Sequence, residues 1–234
     1  MKVRKILIIG CGGHARALAD ILLDQPRRYV LLGFIDEDES AWGTSIYGLP
    51  VLGGDGLLEE YTPPGEISLV NGIGSTRDTA RRREIFELFK GAGFSFSGVI
   101  SGFSHISSRA ALGEGVQLMP GAAVQGGCEI GDDVIINSMA SVNHDCVIGA
   151  HSHIAPGVTL SGSVEIGGGT HIGSGATIIQ GVRIGERCLV AAGAVVVSDV
   201  PPGGCVAGIP AKSMTNCHTI TGFDGEGKTI IGGK

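Results

Sequence analysis

The sequence predicts a small α/β, Rossmann-like domain followed by a parallel β-helix of hexapeptide repeats, and three observations carry that prediction. An aliphatic residue occupies every sixth position from Ile100 to Val196, seventeen positions without a miss. A mostly small residue follows four positions later, among them Ala122, Cys128, Ala140, Cys146 and Ala176. Ahead of this beat, an aliphatic run at Lys5 to Ile9 meets a glycine-rich turn, an amphipathic stretch and a second aliphatic run at Val30 to Ile35, which is the order of a βαβ unit.

A period of six is too short for a helical repeat and fits very short strands joined by tight turns. With one large and one small residue pointing inward per hexapeptide, three hexapeptides close a triangular coil, and successive coils stack about 4.8 Å apart. Residues eighteen apart therefore stand one above another. The beat is expected to stop at Ser198 to Pro202, because consecutive prolines cannot continue a ladder.

The run Lys5 to Ile9 lacks alternation, as a strand buried on both faces does. Gly10, Gly12 and Ala15 match the weaker form of the dinucleotide turn, and Asp36 supplies the acid after the second strand. Glycine lets backbone approach a diphosphate, and a helix N-terminus offers it free N–H groups. A helix is predicted from about Ala15 to Asp24, ending before Pro26. Trp42 to Gly54 reads as turn-rich, Asp55 to Tyr61 as a short helix and Ile67 to Asn71 as a strand. Thr76 to Lys90 reads as a charged helix on which Arg81, Arg82 and Arg83 form a solvated face, and Phe94 to Ile100 as the strand into the coil. The division expected is 1–98 for the α/β domain, 99–212 for the β-helix and 213–234 for a tail. In that tail, Gly222 to Thr229 fits a P-loop pattern but lacks the strand before and the helix after that the motif needs.

A net charge of −6 and a pI near 5.6 argue against nucleic acid or an anionic membrane as partner. Six cysteines without a C-x-x-C pair do not form a disulfide framework. Cys128, Cys146 and Cys188 fall on the small inward phase and read as compact filler in a reduced, cytoplasmic protein. The N-terminal apolar run is too short for a signal peptide, and no stretch approaches a membrane span of about 20 residues.

His144 lies two residues after Val142 and should point outward, between Gly126 and Gly162 eighteen residues away on either side. Asp145 can hold one ring N–H, leaving the other nitrogen to accept a proton. Ala155, Gly173 and Ala191 form one column of small residues, and Gly157, Gly175 and Gly193 another. These read equally as a shallow channel for an extended arm such as pantetheine or as ordinary turn residues. His144, His151 and His153 raise a zinc hydratase on the same coil, which needs three histidines converging across a subunit interface. A non-catalytic scaffold with a degenerate site is a further alternative.

Taken together, Ile9 to Ala15, Phe34 to Asp38, Asn137 to Gly149, His153 to Gly157 and Gly208 to Lys212 resemble the sialic acid O-acetyltransferase-like (NeuD-type) sugar acyltransferases. That family includes the bacterial nucleotide-sugar 4-amino N-acetyltransferases. The resemblance spans about residues 5–212. It implies a left-handed coil, a homotrimer, acetyl-CoA as co-substrate between adjacent coils, no metal, and a nucleotide sugar held by the N-terminal domain. It also implies His144 as general base and Asp145 as its partner. Asn137 and His153 match acetyl-CoA-side positions, and Gly162 matches the N–H facing the thioester oxygen. Gly173, Ala191 and Gly193, from the small-residue columns, complete the expected acetyl-CoA site. Gly12, Gly13 and His14 match the phosphate-facing turn, with Asp36 and Glu37 near the nucleobase. N-acetylation of a nucleotide-linked amino sugar and O-acetylation of a sialic acid both remain open, the glycine turn favouring the first.

Overall fold

The computed structural model describes residues 4–61, 65 and 67–215; the P-loop-like stretch at 222–229 lies outside them. The N-terminal domain runs β1 (Arg4–Ile9), α1 (Gly13–Leu23), β2 (Tyr29–Ile35), β3 (Ser45–Ile46), β4 (Leu49–Gly53), β5 (Ile67–Asn71) and α2 (Ala80–Gly91). Its sheet has the order β3-β4-β2-β1-β5 and is parallel except at β3. Central β1 buries Ile6, Leu7 and Ile8 completely, as an unbroken aliphatic run requires.

Three sequence expectations change here. The turn-rich stretch after Trp42 holds the β3–β4 hairpin, closed by Tyr47 and Gly48, both at positive φ. That pair makes the two-residue turn favoured in hairpins, but Tyr is not a residue that announces it. Helix α1 starts two residues early, at Gly13, with Gly12 as N-cap. Helix α2 starts four residues late, at Ala80, because the Asp78 carboxylate accepts the Ala80 N–H and ends the preceding loop.

The β-helix is left-handed and has three faces of two-residue strands. The first face begins with Val99–Ile100, Gln117–Leu118, Ile135–Ile136, His153–Ile154 and His171–Ile172. The second runs from His105–Ile106 to Val195–Val196 and the third from Ala111–Leu112 to Arg183–Ile184. All pairings between these strands are parallel in an eighteen-residue register, such as Ala123 with Ser141 and His153 with His171. The aliphatic beat fills the interior from Leu118 to Val196 with side chains at most 5% exposed, each worth about 1.5–3 kcal/mol on burial. Cys128, Cys146 and Cys188 are buried, and their thiols donate to the carbonyls of Asn143, Ser161 and Pro201. The coil does not end at the prolines. Val200 bridges Ile184, and Cys205–Ala207 pairs in parallel with Leu189–Val190. Pro201 and Pro202 are tolerated because they fall at a corner, outside the strands of the ladder.

Helix α2 docks on a coil corner through Arg82. This side chain and Asp133 are both 0% exposed and meet at 2.6 Å, with Nη2 poorly aligned for a hydrogen bond. Arg82 Nε also donates to Asp133 O, and Nη1 to the carbonyls of Asn71 and Ile73. The arginine triplet is therefore not one solvated face. Arg81 and Arg83 are exposed and paired with Glu37 and Glu87, while Arg82 is the pin between the domains. Arg82→Ala strands a buried carboxylate and should lower the unfolding free energy by roughly 3–5 kcal/mol. Arg83→Ala should change it by under about 1 kcal/mol. Denaturant titration of both variants checks this, and equal small losses would dismiss the pin.

Candidate active site

The catalytic candidate stands on the corner between the second and third faces. His144 Nδ1 lies 2.9 Å from Asp145 Oδ2, and both side chains are 64% exposed. Because a carboxylate only accepts, Nδ1 carries the proton and Nε2 is left bare. The ring lies against Gly162, where an added Cβ would sit 2.5 Å from Cε1 and 2.6 Å from Nε2. An added Cβ at Gly127 would collide with the Asp145 carboxylate. The two glycines that make room are thus Gly162 and Gly127. Gly126, expected to flank the ring, instead adjoins Ser107 and Arg109. The Gly162 N–H enters none of the hydrogen bonds between rungs, although its carbonyl accepts from Gly181.

The two small-residue columns differ. Ala155 is buried, and a Cβ on Gly173 would press to 2.5 Å against Ala192 N. Ala191, half-buried, continues that column. Gly175 and Gly193 have nothing within 4 Å of an added Cβ and form the open column at the corner between the first and second faces. Gly157 is exposed in that column.

The glycine turn sits at the C-terminal end of β1, the place where open parallel sheets bind ligands. No side chain caps α1, and an added Cβ at Gly12 or Gly13 would meet nothing within 4 Å. Backbone here is open to an anion. Asp36 is engaged in holding the turn, its two oxygens accepting the Cys11 and Asp38 N–H groups. Burial alone would raise its carboxyl, but those bonds hold it below the usual range. Glu37 pairs with Arg81 at 2.6 Å beside the crevice lined by Gly10, Asp36 and Asp55.

The His14 ring faces the coil. Gln117 Nε2 donates to the Asn71 carbonyl, so its Oε1 must accept from His14 Nε2, 2.7 Å away. Burial lowers the His14 pKa to about 4, leaving a neutral ring, while Arg16, exposed on the first turn of α1, donates to the Cys11 carbonyl. Further along the first face, Asn137 Nδ2 lies 3.0 Å from His153 Nε2, and Ser75 Oγ lies 2.6 Å from His153 Nδ1 and 3.1 Å from His171 Nδ1.

The fold therefore brings His14, Asn137 and His153 into one seam between domain and coil, and puts His144 with Asp145 on another corner. His151 turns to Asp133 and stacks edge-on against Phe86, so the three histidines of the zinc reading diverge within the chain. Asn71, Ser75, Gln117 and His171 were not singled out from sequence. Gln117, Ile135, His153 and His171 form one outward column at steps of eighteen, a signal the register carries.

Burial is the first cause that pushes His14 and His171 to about 4 and His153 to about 2, all from 6.5. The unfolded chain takes these protons at higher pH than the folded chain does. Stability is therefore full above about pH 6.5 and declines as pH falls toward about 4, with His153 extending the loss toward about 2. Denaturant titrations from neutral pH to mild acid should show His171→Asn flattening that decline by up to about 1.4 kcal/mol per pH unit. An unchanged slope would mean that His171 titrates normally.

Comparison with known proteins follows this geometry. Residues 5–89 match the PglD N-terminal domain family, and residues 109–144 and 163–198 match the bacterial transferase hexapeptide family. No curated protein matches the chain. Among solved structures, the acetyltransferase domain of PglB from Neisseria gonorrhoeae, in complex with acetyl coenzyme A, is 35% identical, with 91% of this chain and 100% of that one covered and a TM-score of 0.83. A histidine variant of perosamine N-acetyltransferase from Caulobacter crescentus, in complex with CoA and GDP-perosamine, is 33% identical over 92% of this chain and 99% of that one, with a TM-score of 0.82. WeeI from Acinetobacter baumannii is 28% identical over 91% and 100%, with a TM-score of 0.79. With both domains matched in order along nearly its whole length, the chain belongs to the NeuD-type family of hexapeptide-repeat sugar acetyltransferases, enzymes that take acetyl-CoA as co-substrate.

Proposed function

We propose that this enzyme acetylates the amino group, at C4, of a nucleotide-linked amino sugar destined for a bacterial glycan. The observation that carries the reading is the bare Nε2 of His144, held over Gly162 by Asp145, next to an unengaged backbone N–H. The uncapped, glycine-opened N-terminus of α1 supports a nucleotide diphosphate as the handle. The perosamine enzyme, bound to GDP-perosamine, supports an amine as acceptor.

In this reading acetyl-CoA supplies the acyl group and lies between Gly162 of one copy and the open column through Gly175 and Gly193 of its neighbour. His144 Nε2 takes the proton shed by the amine as nitrogen bonds to the acetyl carbon. The Gly162 N–H donates to the oxygen that gathers negative charge. The proton then passes from His144 to the departing thiol, which restores the ring. Asp145 keeps Nδ1 protonated throughout and steadies the imidazolium between the two transfers.

Asn137 and His144 lie at opposite edges of the second face. A homotrimer, in which one copy's His144 corner adjoins another copy's seam, completes the site in this reading. His144→Ala should lower kcat by about 10² to 10⁴ with the same assembly size on sedimentation. A panel of UDP- and GDP-linked 4-amino sugars against free sialic acid tests the acceptor, and turnover with the hydroxyl acceptor alone would reverse the choice. Mixing inactive His144→Ala and Asn137→Ala chains under conditions of subunit exchange should regain activity, since some sites then receive two intact halves. No regain would place both residues in one copy.

A further inference from the structure

Ser75 belongs to the loop after β5, yet its hydroxyl touches two histidines of the coil. Which atom donates to which can be worked out from groups whose roles are fixed. The Ser138 backbone N–H can only donate, and it bonds Asn137 Oδ1 at 2.8 Å. The amide of Asn137 therefore turns Nδ2 toward His153, and His153 Nε2 must accept. Burial keeps both coil rings neutral at working pH, so each carries a single ring proton. The proton of His153 is consequently on Nδ1 and is donated to Ser75 Oγ. The one hydroxyl hydrogen of Ser75 is then left for His171 Nδ1, and His171 keeps its own proton on Nε2. Neutral imidazole otherwise chooses its tautomer from its surroundings; here Asn137 sets the first ring, and the hydroxyl of Ser75 passes the opposite choice to the second. The same loop packs on the glycine turn, an added Cβ at Gly74 lying 3.2 Å from His14 Cβ.

We propose that Ser75 is a positioning residue for acetyl transfer. From the N-terminal domain it accepts the Nδ1–H of His153 and sets the tautomer of His171, holding the His153 ring in place so that Asn137 keeps one amide hydrogen on it and presents the other to an acceptor oxygen of the bound substrate. The functional half of this proposal rests on the acetyl-transfer reading above; the tautomers do not. Charged groups bearing on the two rings are Arg82 on α2, acting on His153, and Asp78 on the loop before α2, acting on His171. Neither group forms a hydrogen bond to the Ser75 hydroxyl.

Neutron diffraction from deuterium-exchanged crystals of the full chain reads the hydrogens directly. The expected map has deuterium on Nδ1 of His153, on Oγ of Ser75 toward His171, and on Nε2 of His171. Deuterium on Nε2 of His153 overturns the proposal, whatever the enzyme's substrate proves to be. In Ser75→Ala, His171 should show both nitrogens partly occupied while His153 keeps deuterium on Nδ1, and kcat/KM for the amino sugar should fall about tenfold. Ser75→Thr, which keeps the hydroxyl, should restore both. A rate loss in Ser75→Ala with wild-type hydrogen positions, or an unchanged rate, assigns Ser75 no positioning role and also overturns the proposal. If no amino sugar is turned over by the wild type, the acetyl-transfer reading fails, while the wild-type neutron map still decides the tautomers.

Discussion

Hydrogen bonds between rungs fix residue n over residue n + 18 from Val99 to Val196, and the chemistry of the wall depends on that register. Every outward side chain has its environment set by what occupies the same column one turn away. His144 can lie against the wall because Gly162 has no side chain, and Asp145 can reach Nδ1 because Gly127 has none. Gly162 is not at positive φ, so the backbone does not call for glycine there; the imidazole does. An alanine at that position would push the ring off the wall and cost the Asp145 bond its 2.9 Å geometry. The orientation of this imidazole is thus set by missing atoms, held in place by a ladder of parallel strands only two residues long.

The seam between the domains is built differently. It contains a fully buried ion pair, Arg82 with Asp133, and a line of neutral polar groups through Gln117, His14, Ser75 and His153. Such a seam contributes little net stability compared with apolar packing, because desolvating the charges offsets much of their attraction. Its effect is directional. Hydrogen bonds have donors and acceptors in fixed places, so the glycine turn of α1 and the outward column of the first face meet in one register.

The coil was legible in the sequence because its rule is local and repeated. One inward aliphatic residue per six survives inspection without any knowledge of partners. The outward pointing of His144 follows from the same rule, as does its proximity to Gly162. What could not be read was decided by tertiary contact. Arg82 sits between two exposed arginines and shares their composition; only the position of Asp133, 51 residues away, separates it from them. Helix α2 begins at Ala80 because of one Asp78 side-chain bond, and the hairpin at Tyr47 uses a residue with no turn preference. The prolines do mark the end of the beat, since pairings beyond Val196 shorten from eighteen residues to sixteen, but the coil goes on past them. The rule that they break ladders is sound, but they fell on a corner, where no ladder bond is needed.

A triangular coil also accounts for the wide separation, within one chain, of the two proposed halves of the site. Its faces are flat and its rungs rigid, so residues at opposite edges of a face cannot approach one another by local adjustment. Asn137 leaves the first face at one edge of the second, and His144 leaves the second at its other edge. A heterologous contact that sets one edge of a copy against the other edge of its neighbour repeats the same operation at every step. With the proposed threefold closure, three copies yield three equivalent clefts, each with one proton-accepting corner and one seam. No cleft is left half made, and no free edge remains to add a fourth copy. The separation of base from seam within the chain is then the feature that ties catalysis to assembly.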